Sequence, residues 1–177
     1  THYGYNNRYF ADLALVESGS SRLAPGTKWA FSPTLSAAWV ISKEHFMQHI
    51  GWLNFLKLRA SAGIINADYL PGDNEWTYYA QYATSGVTYP FDSGWNSEFG
   101  RTYLGRMATA NPSHEKAYKY NIGIDAKLLG GLDVTIDLWK QHRTSIWVSS
   151  AGKYSAVLGM DAPYENAGVV DSHGLEL

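Results

Sequence analysis

The chain has 177 residues and a formal net charge of −2 at pH 7, and only 17% of its residues are charged, below the roughly 25% of a typical soluble domain. Scattered Lys and Arg residues give no electrostatic basis for nucleic-acid binding, and the absence of cysteine excludes disulfides, thiolate metal sites and cysteine nucleophiles. No segment approaches the roughly 18 consecutive apolar residues of a spanning helix, so any membrane crossing must use strands.

Apolar and polar residues alternate with period two over residues 8–17 and 31–41, which predicts two β-strands. The second segment has the length of about 11 residues that a tilted strand needs to cross a bilayer, and it is longer than most globular strands. After it, Ser42 is a candidate cap for a short helix over residues 43–49.

The same alternation predicts strands over residues 55–65, 118–128 and 132–139, and Gly130 with Gly131 predicts a tight hairpin turn between the last two. By contrast, residues 66–113 form one long irregular segment rich in Gly and Pro. Short turns that alternate with long loops are typical of outer-membrane barrels, whose long loops lie outside the cell. Residues 175–177 alternate again, so we interpret the chain as a piece that stops within a further strand.

Two fold classes explain the alternation, because a β-sandwich also has one face on a core and one in water. Long strands, unequal connections and aromatics near strand ends favour a transmembrane barrel. About six strands cannot close a wide barrel, and spanning strands need a closed one. The predicted fold is therefore all-β, a segment of a large antiparallel transmembrane barrel with short periplasmic turns and long extracellular loops, and residues 1–177 belong to one barrel domain. The alternative is a secreted β-sandwich that binds glycans.

No motif for acyl, phosphoryl or hydride transfer is present, so we expect no enzymatic activity, no catalytic residue and no cofactor. His45 and His49 are four residues apart but lack the Glu of a zinc-protease helix, and no metal site is predicted. Asp133 and Asp137 share a strand face about 13 Å apart, too far for a glycosidase pair. With Lys57 and Arg59 they are predicted to line the polar lumen of the barrel.

The long segment is rich in aromatic residues, which offer flat faces to sugars and bury well against a protein partner. They could equally pack the loop against itself, and the sequence leaves both roles open. The predicted ligand- or partner-binding residues are Trp76, Tyr78, Tyr79, Tyr82, Tyr89 and Trp95.

Several blocks on these strands resemble the SusC/RagA family of TonB-dependent outer-membrane transporters. They are Arg8-Tyr9-Phe10-Ala11, Gly19-Ser20-Ser21-Arg22, Gly26-Thr27-Lys28-Trp29, Phe31-Ser32-Pro33, Leu56-Lys57-Leu58-Arg59-Ala60-Ser61, Tyr120-Asn121-Ile122-Gly123-Ile124-Asp125 and Asn166-Ala167-Gly168-Val169. The resemblance spans nearly the whole chain, with departures at Ser18 and Ala62, where the family often has an Asp and an aromatic residue.

The resemblance implies a piece of the C-terminal half of a barrel of about 22 strands with a plugged lumen, located in the bacterial outer membrane. It implies import of oligosaccharides or peptides, with a SusD-like surface lipoprotein as partner and energy supplied through the TonB complex. The plug and the TonB-contacting segment would lie upstream of Thr1. Membrane lipid and a glycan or peptide ligand are the remaining expected partners, and nucleic acid is not expected.

Overall fold

The computed structural model describes residues 1–47, 49–70, 76–90 and 98–177, with backbone alone for 85–90 and 98–101. In these ranges the chain is built from strands and short 3₁₀ turns, and no helix there is both long and apolar enough to cross a membrane. The strands are β1 (His2–Tyr5), β2 (Tyr9–Gly19), β3 (Trp29–Val40), β4 (Leu53–Ala67), β5 (Tyr82–Pro90), β6 (Glu98–Leu104), β7 (Glu115–Leu128), β8 (Leu132–Ser149) and β9 (Tyr164–Glu176).

Seven strands form one antiparallel sheet in the order β1-β2-β3-β4-β7-β8-β9, and β5 pairs with β6 in a separate hairpin. Each strand of the large sheet therefore pairs with the next one along the chain, except that β4 pairs with β7. The β5–β6 hairpin lies between these two strands in sequence but is not part of the large sheet. This up-and-down order confirms the predicted antiparallel sheet, and the observed strands are longer than the alternating segments that predicted them.

Connections at the two ends of the sheet differ in length. Residues 6–8, 41–52 and 129–131 join strands at one end, which we call the turn end. Residues 20–28, 68–114 and 150–163 join them at the other, which we call the loop end. The predicted alternation of short and long connections holds except at residues 41–52, whose 12 residues exceed the 9 of residues 20–28. Short turns at one end and long loops at the other are the arrangement of membrane barrels.

The tight turns depend on residues with positive φ. In the β7–β8 hairpin, Leu129 and Gly130 have φ of 52° and 76°, and the Gly131 amide donates a hydrogen bond to the Leu128 carbonyl. The sequence located this turn correctly but assigned it to the glycine pair, whereas Leu129 takes the first left-handed position. Asn6 and Asn7 have the same conformation in the β1–β2 turn, where Asn tolerates it.

The predicted helix over residues 43–49 is wrong. Two separate 3₁₀ turns stand there, Ile41–Lys43 and His45–Met47, and Ser42 caps neither. Glu44 lies between them with extended backbone (φ −77°, ψ 148°). Its carboxylate accepts hydrogen bonds from Arg8 (3.2 Å), the Tyr9 hydroxyl (2.6 Å) and the Trp39 indole (3.1 Å). These contacts hold Glu44 between the two 3₁₀ turns.

The long segment after β4 also differs from the prediction of an irregular loop. Asn66 and Ala67 extend β4, and β5 with β6 forms a hairpin whose register shifts between Thr84 and Thr88. Gly86 and Pro90 within β5 broke the alternation that would have predicted this strand, because neither residue is typical of strand interiors.

The large sheet has two chemically different faces. The apolar face carries Leu13 and Leu35, which are paired across β2 and β3, and Ile122, Leu138 and Leu175, which are paired across β7, β8 and β9. Each of the five is between 44% and 58% exposed. No second sheet covers this face within the described residues. A β-sandwich would bury these side chains, so the alternative fold is contradicted for this part of the chain.

A small buried core lies at the loop end instead. Leu23, Leu70 and Trp147 pack together, with Tyr164 against them. A β-bulge at Ser145, whose φ is +56°, shifts the pairing of β8 with β9 just before Trp147. A bulge changes the face toward which the following residues point. Trp147 therefore packs among the loop residues Leu23 and Leu70 and connects the loops to the sheet.

Candidate functional site

The opposite face of the sheet, which we call the polar face, carries Lys57 and Arg59 of β4, Asp125 of β7 and Asp137 of β8. Strand register places Lys57 beside Asp125, Arg59 beside Gly123, and Asp137 on the far side of that glycine. The predicted lumen-lining residues therefore share one face.

Arg59 is the centre of this polar face. Its Nε donates a hydrogen bond to Asp125 Oδ2 at 3.1 Å, and its Nη2 donates one to Asp137 Oδ2 at 2.6 Å. All three side chains are partly shielded from solvent. Charge-assisted hydrogen bonds of this kind are directional, so the shared guanidinium fixes the positions of both carboxylates. The three ionised groups together carry a charge of −1.

Gly123 makes room for this cluster. A Cβ there would lie 2.6 Å from Asp137 Oδ1 and 2.7 Å from Arg59 Cζ, so a side chain at this position would force one of these groups to move. Sequence reasoning placed Asp125 and Gly123 on the polar side of a strand without recognising their role. The Gly-x-Asp spacing at residues 123–125 opposite an arginine was the available indication.

The other predicted lumen residues occupy separate positions. Lys57 and Arg59 line a shallow depression of about 290 Å³, with Asp12, Ser36 and Asn121 among its other polar residues. Asp133 lies at the turn end, highly exposed, and accepts a hydrogen bond from Lys127 at 3.3 Å. The structure thus joins Arg59 to Asp137, places Lys57 beside Arg59 in the same depression, and leaves Asp133 apart.

Exposed aromatic residues form a second candidate site at the loop end. Trp76, Tyr79 and Tyr82 are 53%, 63% and 71% exposed, and Tyr78 packs on Tyr79 with ring centroids 4.4 Å apart. Loss of solvent contact, and then the neighbouring Tyr79, raises the pKa of the Tyr78 hydroxyl. The side chains of Tyr89 and Trp95, which were predicted with them, lie outside the described residues.

Backbone contacts fix this aromatic segment. Trp76 has a positive φ of 51°, which is unfavourable for a bulky residue. The next residue, Thr77, is fully buried, and its carbonyl accepts a hydrogen bond from the Thr109 amide at 2.7 Å. A strained residue held by buried neighbours is a recurrent feature of binding sites.

Hydrogen bonds join all three connections of the loop end. Thr27 donates to the Pro112 carbonyl at 2.5 Å, and the Asp161 amide donates to the Gly105 carbonyl at 2.6 Å. The Arg106 guanidinium lies 5.6 Å from the centre of the Tyr164 ring. The aromatic segment therefore stands on a packed base, which limits its loss of conformational entropy when it binds.

A sheet with one uncovered apolar face, one charged face and loops gathered at one end defines a wall segment of a membrane β-barrel. Comparisons with known proteins agree with this class, although no family model matches the chain. TonB-dependent receptor SusC of Bacteroides thetaiotaomicron is 25% identical over 182 residues, which cover 99% of this chain and 17% of SusC.

Receptors of Formosa agariphila are related as well. TonB-dependent receptor P26 is 30% identical over 73% of this chain and 12% of its own length, and TonB-dependent receptor P39 is 39% identical over 35% of this chain and 6% of its own length. The chain thus spans about a sixth or less of the length of these relatives.

Solved structures give the same result for the fold. The RagAB peptide importer in its closed-closed state superposes with a TM-score of 0.81 at 17% identity, over 98% of this chain and 18% of the importer chain. Its open-open state gives 0.79. The chain belongs to the SusC/RagA family of TonB-dependent receptors, corresponds to part of their barrel, and is a protein of the bacterial outer membrane.

Proposed function

We propose that this chain forms part of the wall of a TonB-dependent importer that takes up nutrients across the outer membrane without catalysing a reaction. The observation that carries the proposal is the Arg59 cluster on a face opposite an uncovered apolar face. A membrane barrel turns its apolar face to lipid, which leaves the charged face towards the lumen. Residues 1–177 would then all belong to the barrel domain.

In this proposal the polar face lines the path of the transported molecule. Asp125 and Asp137 have carboxylate oxygens that can accept hydrogen bonds from hydroxyl groups, and Arg59 donates to them from a fixed position. Lys57, which lines the adjoining depression, adds a cationic donor. Such a lining can exchange hydrogen bonds with a polar solute as it passes.

At the loop end, Trp76, Tyr79 and Tyr82 are proposed as the first contact for the nutrient. Their exposed rings stand on a packed base, and aromatic faces bind the apolar faces of sugar rings. We therefore propose oligosaccharides as the substrate class, with peptides as the second candidate because the structurally similar RagAB is a peptide importer. A SusD-like lipoprotein would cover this end, and the TonB complex would act on a part of the receptor outside these residues.

The test is uptake by the full-length receptor in cells that lack related receptors. Replacing Trp76, Tyr79 and Tyr82 together by alanine should lower uptake of fluorescent oligosaccharides about tenfold or more, since each replacement removes one aromatic surface that could contact a sugar ring. Trp52→Ala is the matched control, because Trp52 is equally exposed but lies at the turn end. Normal uptake by the triple variant, or equal loss in the control, would contradict the binding role, and loss of peptide uptake alone would favour peptides.

A further inference from the structure

The apolar face changes character at a single level on three neighbouring strands. Ile122, Leu138 and Leu175 are paired across β7, β8 and β9. One step towards the loop end on the same face, the paired residues are Tyr120, Lys140 and His173. The aliphatic row is thus followed directly by a tyrosine and two basic side chains.

This change has the order expected at a membrane–water boundary. Hydrocarbon requires aliphatic side chains, and aromatic residues mark the interface. Long cationic side chains near the interface extend their charge towards the headgroups. Because β8 continues to Ser149, Lys140 and His173 lie within the sheet, where the loop-end leaflet would surround them.

A depression of about 390 Å³ joins the two rows. Its floor is predominantly apolar, and its outward-facing side chains are Tyr120, Ile122, Leu138, Lys140, His173 and Leu175. The apolar part lies towards the turn end and the basic part towards the loop end, so the depression has a hydrocarbon-like side and a charged side.

The basic residues of this depression differ from their neighbours in lacking acidic partners. His142, one step further along β8, forms an ion pair with Asp171 at 2.7 Å. Across the described part of the chain, neither Lys140 nor His173 makes an ion pair or a side-chain hydrogen bond. An ammonium group next to hydrocarbon is unfavourable unless an anion compensates it.

We propose that this depression binds a lipid with a phosphate headgroup from the leaflet at the loop end. An acyl chain would lie along Ile122, Leu138 and Leu175, while Lys140 and His173 would donate hydrogen bonds to the phosphate. Tyr120 would pack at the boundary between them. The lipid site requires only the membrane placement of the chain and is independent of which nutrient the receptor imports.

Native mass spectrometry of the full-length receptor in neutral detergent tests this directly. The probe is monophosphorylated lipid A, and the comparison is the same glycolipid without its phosphate. Lys140→Gln combined with His173→Gln should weaken binding of the phosphorylated form about tenfold or more, as expected when hydrogen bonds to an anion are lost. The two glycolipids should then bind alike.

The matched control is Lys119→Gln, which removes an exposed lysine from the polar face of the adjacent strand. A second variant, Leu138→Trp, fills the apolar side of the depression and should weaken both glycolipids. Unchanged binding in the double variant, or an equal loss with Lys119→Gln, would overturn the proposal. Displacement of the lipid by inorganic phosphate at the same concentration would overturn it too, since it would show that the acyl chain contributes nothing.

Discussion

Arg59 of β4 reaches across the whole width of β7 to Asp137 of β8, with 2.6 Å between Nη2 and Oδ2. The residue it crosses is Gly123, where a Cβ would collide with both partners. The charged cluster of the polar face therefore depends on a residue that has no side chain. This relationship joins three neighbouring strands of the sheet through two residues that are 78 positions apart in sequence.

Gly123→Ala should destabilise the barrel. The added methyl group must displace Arg59 or Asp137, and overpacking of this kind costs about 1–3 kcal/mol. We expect a lower urea midpoint for the full-length receptor in detergent. Gly131→Ala is the control, because nothing lies within 4 Å of its Cβ position. Equal midpoints for the wild type and Gly123→Ala would contradict this prediction, because they would show that the cluster accommodates a methyl group without loss of stability.

A double-mutant cycle should separate the two kinds of ion pair on the polar face. Arg59 with Asp137 is partly shielded, and we expect a coupling free energy of about 1–2 kcal/mol from unfolding of the single and double variants. Lys127 with Asp133 is mostly exposed, and exposed pairs typically contribute less than about 1 kcal/mol. Similar coupling energies for both pairs would mean that the fixed geometry of Arg59 has no energetic consequence.

Glu44 should make the turn end sensitive to acid. Hydrogen bonds from the Tyr9 hydroxyl and then the Trp39 indole hold the pKa of this carboxyl below its ordinary value of 4.5. A lowered pKa stabilises the folded state above the unfolded value, and this stabilisation is lost as the pH falls through the folded pKa. Glu44→Gln should therefore lower Tm at neutral pH and reduce its fall on acidification.

Thermal unfolding of the receptor between neutral pH and pH ~3 measures this effect. Glu17→Gln is the control, since Glu17 is exposed at the other end of the sheet. An identical pH profile for Glu44→Gln and the wild type would contradict the role given to the Tyr9 and Trp39 hydrogen bonds.

The sequence predicted the large sheet well because period-two alternation reports directly on two faces in different environments. The same reasoning ended β8 at Trp139, whereas the strand continues to Ser149. From Lys140 onwards the outward residues are no longer apolar, so the pattern disappears while the pairing continues. Boundaries of this kind depend on backbone partners in β7 and β9, which a single strand does not reveal.

The functional residues were less predictable. Lys57, Arg59, Asp133 and Asp137 could be placed on one face from spacing alone, but which of them meet depends on the register of three strands. Sequence could not show that Asp125 and Asp137 both bind Arg59, nor that Glu44 lies between two 3₁₀ turns and binds Arg8. Such contacts join residues 36 to 78 positions apart, beyond the reach of local patterns.

The central claim is that one face of this sheet meets lipid and the other an aqueous lumen, and cysteine labelling tests it most directly. The segment has no native cysteine, so the receptor, freed of any cysteine elsewhere, can carry single cysteines at Thr34, Leu35, Ser36 or Ala37 of β3. In outer-membrane vesicles, cysteines at Thr34 and Ser36 should react with a small water-soluble thiol reagent, and those at Leu35 and Ala37 should resist it, because hydrocarbon disfavours the reactive thiolate. Labelling that alternates with period two is the predicted result, and equal labelling at all four positions would contradict the claim.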